Sequence, residues 1–134
     1  MNDSLAASGS WAGGRWSVES TLYEDGTAET DVRVQTAEGL SRRVGFGGPL
    51  LPPGRTVNGY VGRKPGFPVI VLARMAQAAG VRTVVDGEGR EPVWTDDLHG
   101  VTYLLDLLDG EGAADQIEIS GTVDGQTFRT PLIG

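Results

Sequence analysis

Hydrophobic and polar residues alternate along much of this chain, which is the pattern of strands that bury one face. In the segment RWSVESTLY, Trp16, Val18 and Leu22 fall on one face and polar residues on the other. The segment TAETDVRVQT repeats this alternation, with Val32 and Val34 on its apolar face. The pattern predicts two half-buried antiparallel strands in this part of the chain.

Asp-Gly pairs mark the predicted turns, because tight hairpin turns need residues that accept a positive φ. Two later hairpins are predicted in the same way: VRTVV with EPVWT around DGEGR, and QIEISGTV with QTFRT around the last pair. Turns at this spacing indicate a meander of antiparallel strands. The four pairs are Asp25-Gly26, Asp86-Gly87, Asp109-Gly110 and Asp124-Gly125.

Two longer apolar segments suggest strands of a different kind. VTYLLDLL, from Val101 to Leu108, is almost continuously apolar and predicts a central strand that is covered on both faces. In PVIVLARMAQAAG, the β-branched residues predict a strand from Val69 to Ala73. Met75 and Ala79 then continue at helical spacing, so we expect a short helical turn there, with Met75 in the core.

The fold class predicted from these elements is all-β. We expect an antiparallel β-sandwich of the Ig-like or Greek-key type with at most one short helical turn, and a small β-barrel is the alternative. A chain of 134 residues fits one domain. The first ten residues, MNDSLAASGS, have the composition of a flexible lead-in or an added linker, so residues 11–134 are expected to form the single domain.

Composition excludes several functional classes. The chain has no cysteine, which removes disulfides, thiolate metal ligands and thiol nucleophiles. Its longest apolar run is VIVLA, far shorter than the roughly 20 residues of a membrane-spanning helix, and the first residues do not resemble a signal peptide. We therefore expect no membrane association, and the sequence indicates no particular compartment.

The glycine- and proline-rich segment VGFGGPLLPPGR does not match a phosphate-binding loop. It lacks both the third glycine of a dinucleotide-binding fingerprint and the Gly-Lys-Ser/Thr of a P-loop, so it is interpreted as a connection between strands. Leu50 and Leu51 in this connection are expected either to cap the core or to form a patch for a partner.

Two segments contain several acidic residues and are therefore compared with known metal sites. His99 follows Asp96 and Asp97 in WTDDLHGV, but the chain shows no motif that would supply a third ligand, so an acidic turn explains these residues. The segment DGEGAAD, from Asp109 to Asp115, lacks the glycine and the final glutamate of an EF-hand loop, and it is interpreted as a solvated acidic loop. No catalytic residue, cofactor or metal site is predicted.

Charge is strongly ordered along the chain. Seven basic residues and no acid lie between Gly39 and Val85, whereas eleven acids and one arginine lie between Asp86 and Asp124. These segments are expected either to neutralise each other across a sheet or to create a two-faced surface. Nucleic acid is an unlikely partner for a chain with a net charge of −7.

The leading functional hypothesis is a non-catalytic interaction or structural module that binds another protein or itself. The alternatives are an acidic inhibitor or immunity-type protein that binds a basic site, and a small-molecule or glycan-binding domain. The candidate interaction residues are Arg42, Arg43, Leu50, Leu51, Arg63, Lys64, Asp96, Asp97, Asp109, Glu111 and Asp115.

Overall fold

The computed structural model of the protein describes residues 3–51, 54, 56–109 and 116–132. In it, the two segments with alternating hydrophobic and polar residues are strands. The described residues form antiparallel strands and connections but no helix, which confirms the all-β prediction.

The chain divides into two compact units, Met1–Leu50 and Leu51–Gly134. The division falls between the two leucines of the glycine- and proline-rich connection, inside the stretch for which the sequence predicts one domain.

The first unit is an antiparallel meander in which, among the described residues, each of four strands pairs with its neighbour in sequence. Alternate residues of the two middle strands form its buried face, including Val18, Val32 and Val34, as the sequence predicts. The strands are β1 (Asp3–Trp11), β2 (Gly14–Leu22), β3 (Ala28–Thr36) and β4 (Ser41–Phe46).

The structure differs from the sequence at the start of the chain, where a flexible lead-in was expected. Residues from Asp3 onward belong to β1, and each pairs with a residue of β2 up to Trp11 opposite Gly14. Small side chains gave this segment the composition of a linker. They are nevertheless compatible with a strand, because main-chain pairing does not depend on side-chain size and Leu5 supplies a buried apolar contact.

The second unit contains two antiparallel sheets among its described residues, and neither sheet closes into a barrel. The strand orders are β5-β6-β10-β9 and β12-β11-β7-β8, so successive hairpins alternate between the sheets. The strands are β5 (Val57–Gly62), β6 (Val69–Ala76), β7 (Ala79–Val85), β8 (Glu88–Arg90), β9 (Trp94–Leu98), β10 (Val101–Leu108), β11 (Ile117–Val123) and β12 (Gln126–Leu132).

Apolar side chains of both sheets form one hydrophobic cluster in this unit. Val71 and Leu104 contribute from the first sheet, and Val81 and Ile119 contribute from the second. Every residue of β10 is buried and the strand lies between β6 and β9, which confirms the predicted central strand.

Strand β6 continues beyond the predicted strand end at Ala73, and the expected helical turn is absent. Met75 is fully buried and pairs with Thr102 on one side and Val57 on the other. The helical spacing was misleading because pairing on both sides holds this segment extended. The assignment of Met75 to the core is confirmed.

Two of the predicted Asp-Gly turns are tight hairpin turns. Asp86-Gly87 and Asp124-Gly125 each join paired strands through two residues, and all four of these residues have positive φ. One prediction was wrong: β7 pairs with Glu88–Arg90, whereas the segment around Trp94 begins β9 in the other sheet. The residue pair His99-Gly100, which is not an Asp-Gly pair, joins β9 to β10 in the same way, and both of its residues have positive φ.

Candidate interaction surface

The first sheet has one buried face and one polar face, and we call the polar one the outer face. Its residues follow from the strand register, because side chains directly opposite each other on paired strands lie on the same face. The outer face holds charged side chains together with serine, threonine and glutamine. It comprises Ser4, Ala6, Ser8 and Ser10 of β1, Arg15, Ser17, Glu19 and Thr21 of β2, Glu29, Asp31, Arg33 and Gln35 of β3, and Ser41, Arg43 and Gly45 of β4.

Positive charge gathers at one end of the outer face. Arg33 of β3 lies directly opposite Arg43 of β4, and Arg15 of β2 lies diagonally from Arg33. We call this end the basic rows. Like charges in directly opposite positions disfavour strand pairing by themselves, and an ion pair of Arg43 with Asp31 offsets part of this repulsion.

Negative charge gathers at the other end of the outer face. Glu19 lies directly opposite Asp31, and Glu29 lies two residues before Asp31 on β3. We call this end the acidic rows. The two ends meet where Arg43 Nη2 lies 3.1 Å from Asp31 Oδ2, an ion pair in which the arginine side chain is 60% exposed.

Two shallow depressions cross the outer face and share Ser17 and Arg33. The larger, of about 440 Å³, also includes Arg15 and Gln35, and the smaller, of about 150 Å³, also includes Arg43. Guanidinium, hydroxyl and amide groups therefore line a continuous polar surface. At the acidic end, Tyr23 donates a hydrogen bond to Glu29 at 3.2 Å, which raises the pKa of the Tyr23 hydroxyl.

Arg42 and Arg43, which are both candidate interaction residues, lie on opposite faces of β4. Arg43 belongs to the basic rows, whereas Arg42 lies opposite Val34, whose side chain is buried. Among the described residues, Arg42 Nη1 is buried and has no hydrogen-bond partner. Only Arg43 of this pair is therefore placed to contact a partner at the outer face.

The remaining candidate residues of the sequence do not form one surface. Leu50 and Leu51 are half-buried and belong to different units. Lys64 follows β5, and its ammonium lies 5.7 Å from the centre of the Phe67 ring. Asp96 and Asp97 lie on the edge strand β9 and not in the predicted acidic turn, because this segment pairs with β10. Glu111 and Asp115 lie outside the described residues.

A basic and an acidic residue lie at the same end of one sheet in the second unit. Arg63 follows Gly62, which pairs with Ile70, and Asp109 follows Leu108, which pairs with Val69 next to it. The basic and acidic segments of the sequence therefore both reach the same end of this sheet. At this sheet, the separation of basic and acidic segments along the chain therefore does not place the two charges at opposite ends.

A third depression, of about 380 Å³, lies in the second unit beside Asp97. Strand β8 pairs with only the last three residues of β7, so the first half of β7 faces this opening. Thr102 Oγ1 donates to Asp97 Oδ1 and accepts a hydrogen bond from the Ala78 N–H at 3.0 Å. Within the described chain, no group of three His, Cys, Asp or Glu side chains could hold a metal ion.

A buried ion pair that the sequence analysis missed lies inside the second unit. Asp106 of β10 is fully buried, and its Oδ2 lies 3.0 Å from Nε of Arg90, whose Nη2 donates to Oδ1 at 3.3 Å. The Leu107 N–H also donates to Oδ1 at 2.9 Å. Burial raises the pKa of Asp106, while hydrogen bonding from Thr83 and the charge of Arg90 oppose that rise.

Two sequence signals could have found this pair. Asp106 interrupts the otherwise apolar segment VTYLLDLL, and Arg90 is the only arginine in the acidic segment. A second charged group inside an apolar segment, Arg74 of β6, is also fully buried, and burial lowers the pKa of its guanidinium.

His99 is a turn residue, as predicted, but it also packs against the sheet. Its Nδ1 lies 3.0 Å from the hydroxyl of Tyr103, a fully buried residue, and the two rings meet edge to face. Trp94 packs on the same tyrosine, with 6.3 Å between ring centres. Trp16 is buried in the first sheet, so it is not exposed for stacking on a sugar.

No helix in the part of the chain that the structure describes is long and apolar enough to cross a membrane. Comparison of this chain with protein-family models, with curated proteins and with solved structures finds no match.

Proposed function

We propose that this chain is a non-catalytic protein-binding module that recognises its partner through the outer face of the first sheet. The observation that carries this proposal is the direct opposition of Arg33 and Arg43 at a solvent-exposed position. Among the described residues Arg43 forms an ion pair with Asp31, and a partner's carboxylates could offset the remaining repulsion between the two arginines.

A protein partner fits the outer face better than a nucleic acid does. The acidic rows lie beside the basic rows, and Glu19, Glu29 and Asp31 would repel a phosphate backbone that followed the arginines. A protein can present a matching pattern of both signs. Such complementarity contributes mainly to the association rate and to the choice of partner.

The non-catalytic assignment is supported by the position of the two charged groups whose pKa is shifted mainly by burial. Asp106 and Arg74 are both fully buried within strands, and neither lines the depressions described above. Active sites usually place such groups in a cleft that substrate can enter. For the second unit we propose a β-sandwich of the Greek-key type, because hairpins alternate between two sheets that share one hydrophobic cluster.

The test compares two matched charge reversals. Arg33→Glu changes the basic rows, and Arg82→Glu makes the same change at an exposed strand position of the second unit. A partner captured by the immobilised wild-type chain at 0.01 M salt should also be captured by Arg82→Glu but lost with Arg33→Glu. Equal capture by both variants would refute recognition through the outer face.

A second candidate function is supported by the depression beside Asp97. Asp96 and Asp97 lie next to a half-strand of β7 that β8 leaves uncovered, so a cationic segment of a partner could bind there, as in the acidic-inhibitor hypothesis. Asp96→Asn with Asp97→Asn distinguishes this site from the outer face. Loss of the captured partner with this variant, and its retention with Arg33→Glu, would favour the second candidate.

A further inference from the structure

Strand β1 is an unprotected edge of the first sheet. Within the described residues it pairs only with β2, and the register is continuous over its whole length from Asp3 to Trp11. An edge strand has a row of unpaired main-chain donors and acceptors that can pair with another strand. Proteins usually prevent such pairing with charged residues, prolines, bulges or very short strands, and β1 has none of these between Ser4 and Ser10.

The other edge of the same sheet is different. Strand β4 has only six residues and carries Arg42 and Arg43 in adjacent positions. Two copies of β4 placed side by side would bring these arginines near their counterparts. The edge at β1 is therefore the better candidate for pairing with another chain.

The turn after β1 determines which of its main-chain groups face away from β2. Trp11 and Gly14 flank a two-residue turn, and the residues that flank such a turn form a hydrogen-bonded pair. Alternate residues from Trp11 back to Asp3 therefore bond to β2. The N–H and C=O groups that point to the free edge belong to Ser4, Ala6, Ser8 and Ser10.

We propose that a second copy of this chain pairs with β1, antiparallel and about a two-fold axis at Ala7. This proposal rests on the proposed function, because it names one partner that the first sheet accepts. In this register Ser4 lies opposite Ser10 of the second copy, and Ala6 lies opposite Ser8 of the second copy. Reciprocal pairing of these four residues gives about eight hydrogen bonds between the chains.

The charges of the outer face support this occupant and this register. Ser8 lies in the row of Arg33 and Arg43, and Ala6 lies in the row of Glu19 and Asp31. Because Ser8 of one copy meets Ala6 of the other, the arginine row of each chain continues into the carboxylate row of its partner. The two-fold axis stands perpendicular to the sheet, so both outer faces stay on the same side.

The buried face is also compatible with this register. Leu5 comes opposite Gly9 of the second copy, which brings no side chain of its own to the interface. A Cβ atom on Gly9 would lie 2.5 Å from the Trp16 ring, so that ring already covers the glycine within its own chain. A large side chain therefore meets a glycine at each of these two symmetric positions. Ala7 meets its own counterpart at the axis.

The first test removes one hydrogen-bond donor from the free edge. Ser8→Pro deletes an N–H that points away from β2, and prolines are tolerated on edge strands, so the sheet should remain intact. Ser8→Ala is the control because it changes the side chain and keeps the N–H. In sedimentation at 0.01 M salt, wild type and Ser8→Ala should be dimers, and Ser8→Pro should be a monomer with an unchanged circular dichroism spectrum.

The second test addresses the register with charges at Ala6 and Ser8, whose side chains are exposed. Lysine at both positions places like charges opposite each other across the interface and should weaken dimerisation at least about tenfold. Ala6→Glu combined with Ser8→Lys places opposite charges there and should restore it. A dimer that is unaffected by the lysine pair, or one that the Glu/Lys pair does not restore, would overturn the register.

A wild-type chain that stays monomeric at 0.01 M and 0.15 M salt would overturn the dimer altogether. The same outcome would leave the proposed function standing if Arg33→Glu still loses a captured partner. The two proposals therefore fail separately.

Discussion

Removing the guanidinium of Arg90 while Asp106 stays in place should destabilise the protein in a pH-dependent way. The Asp106 carboxylate is fully buried, and both of its oxygens lie within 3.3 Å of Arg90 nitrogens. Arg90→Met keeps an unbranched side chain of moderate length and removes the charge. The carboxylate would then retain the hydrogen bond from the Leu107 N–H but no cation.

The expected loss at pH 7 follows from the full burial of Asp106 and the partial burial of Arg90. Two unit charges about 4 Å apart attract by about 4 kcal/mol at an effective dielectric constant of about 20. Breaking a buried pair by removing one partner costs about 3–5 kcal/mol. Because the Arg90 side chain is 44% exposed, water screens part of its attraction to Asp106. We therefore expect a loss of about 2–3 kcal/mol in the free energy of unfolding.

The sign of the pH dependence follows from the pKa of Asp106. Burial raises this pKa above the model-compound value of 3.8, and loss of the Arg90 charge raises it further. A carboxyl group whose pKa is higher in the folded state stabilises that state fully below its unfolded pKa. This contribution is lost as the pH rises through the folded pKa. The difference between wild type and Arg90→Met should therefore be small near pH 4 and grow towards pH 7.

The assay is urea denaturation of wild type and variant at pH values from 4 to 7, because the difference between them cancels the titration of all other groups. Combining Arg90→Met with Asp106→Leu should recover most of the lost stability, since an apolar pair of similar volume replaces a buried ion pair at little cost. A loss that is equal at all pH values, or a double variant as unstable as Arg90→Met, would refute this reasoning.

Three further substitutions test other contacts, each by the shift of the denaturation midpoint. Arg129→Ala should leave the midpoint unchanged within error, because its ion pair at 2.7 Å involves a half-exposed arginine. His99→Asn tolerates the positive φ of the turn but removes the hydrogen bond to Tyr103, so it should cost about 1 kcal/mol; an unchanged midpoint would contradict the observed packing. Gly9→Ala should cost about 1–3 kcal/mol by forcing the Trp16 ring to move, and a changed tryptophan emission should accompany the loss.

Local patterns in the sequence predicted the strands that have one buried face, and they predicted two of the tight turns. Val18, Val32 and Val34 lie in the buried face because the period of two is a property of the strand itself. Asp86-Gly87 and Asp124-Gly125 form turns because a two-residue hairpin turn requires positive φ at its two central residues, which Asp and Gly accept. These features depend on neighbouring residues alone.

Features that depend on distant partners were not predicted. Composition assigned Asp3 to Ser10 to a linker, because nothing within that segment shows that β2 will pair with it. In the same way, the helical spacing after Ala73 gave no sign that Met75 would be held extended between two strands. Propensity is a weak prior when strands on both sides supply hydrogen bonds.

The candidate site was predicted only at Arg43. The sequence drew attention to a basic segment from Gly39 to Val85, but Arg15 and Arg33 of the basic rows lie outside it. They join Arg43 because the register of three consecutive strands brings them together. Likewise, Asp106 and Arg90 meet although β10 and β8 belong to different sheets of the second unit.

Strand register also changes what the charge order means for association. Charges separated along a chain attract a second copy only if folding keeps them apart, and the pairing of β5, β6 and β10 brings Arg63 and Asp109 to the same end of a sheet. The outer face of the first sheet keeps its two signs apart along the direction of the strands. Antiparallel pairing at β1 reverses this direction in the second copy, so the basic rows of one chain lie in line with the acidic rows of the other, across two β1 strands whose outer-face residues are uncharged. A parallel arrangement of two β1 edges would turn the outer face of the second copy to the opposite side of the sheet, so the charged rows would not continue from one chain into the other, and the outer face therefore favours the antiparallel dimer.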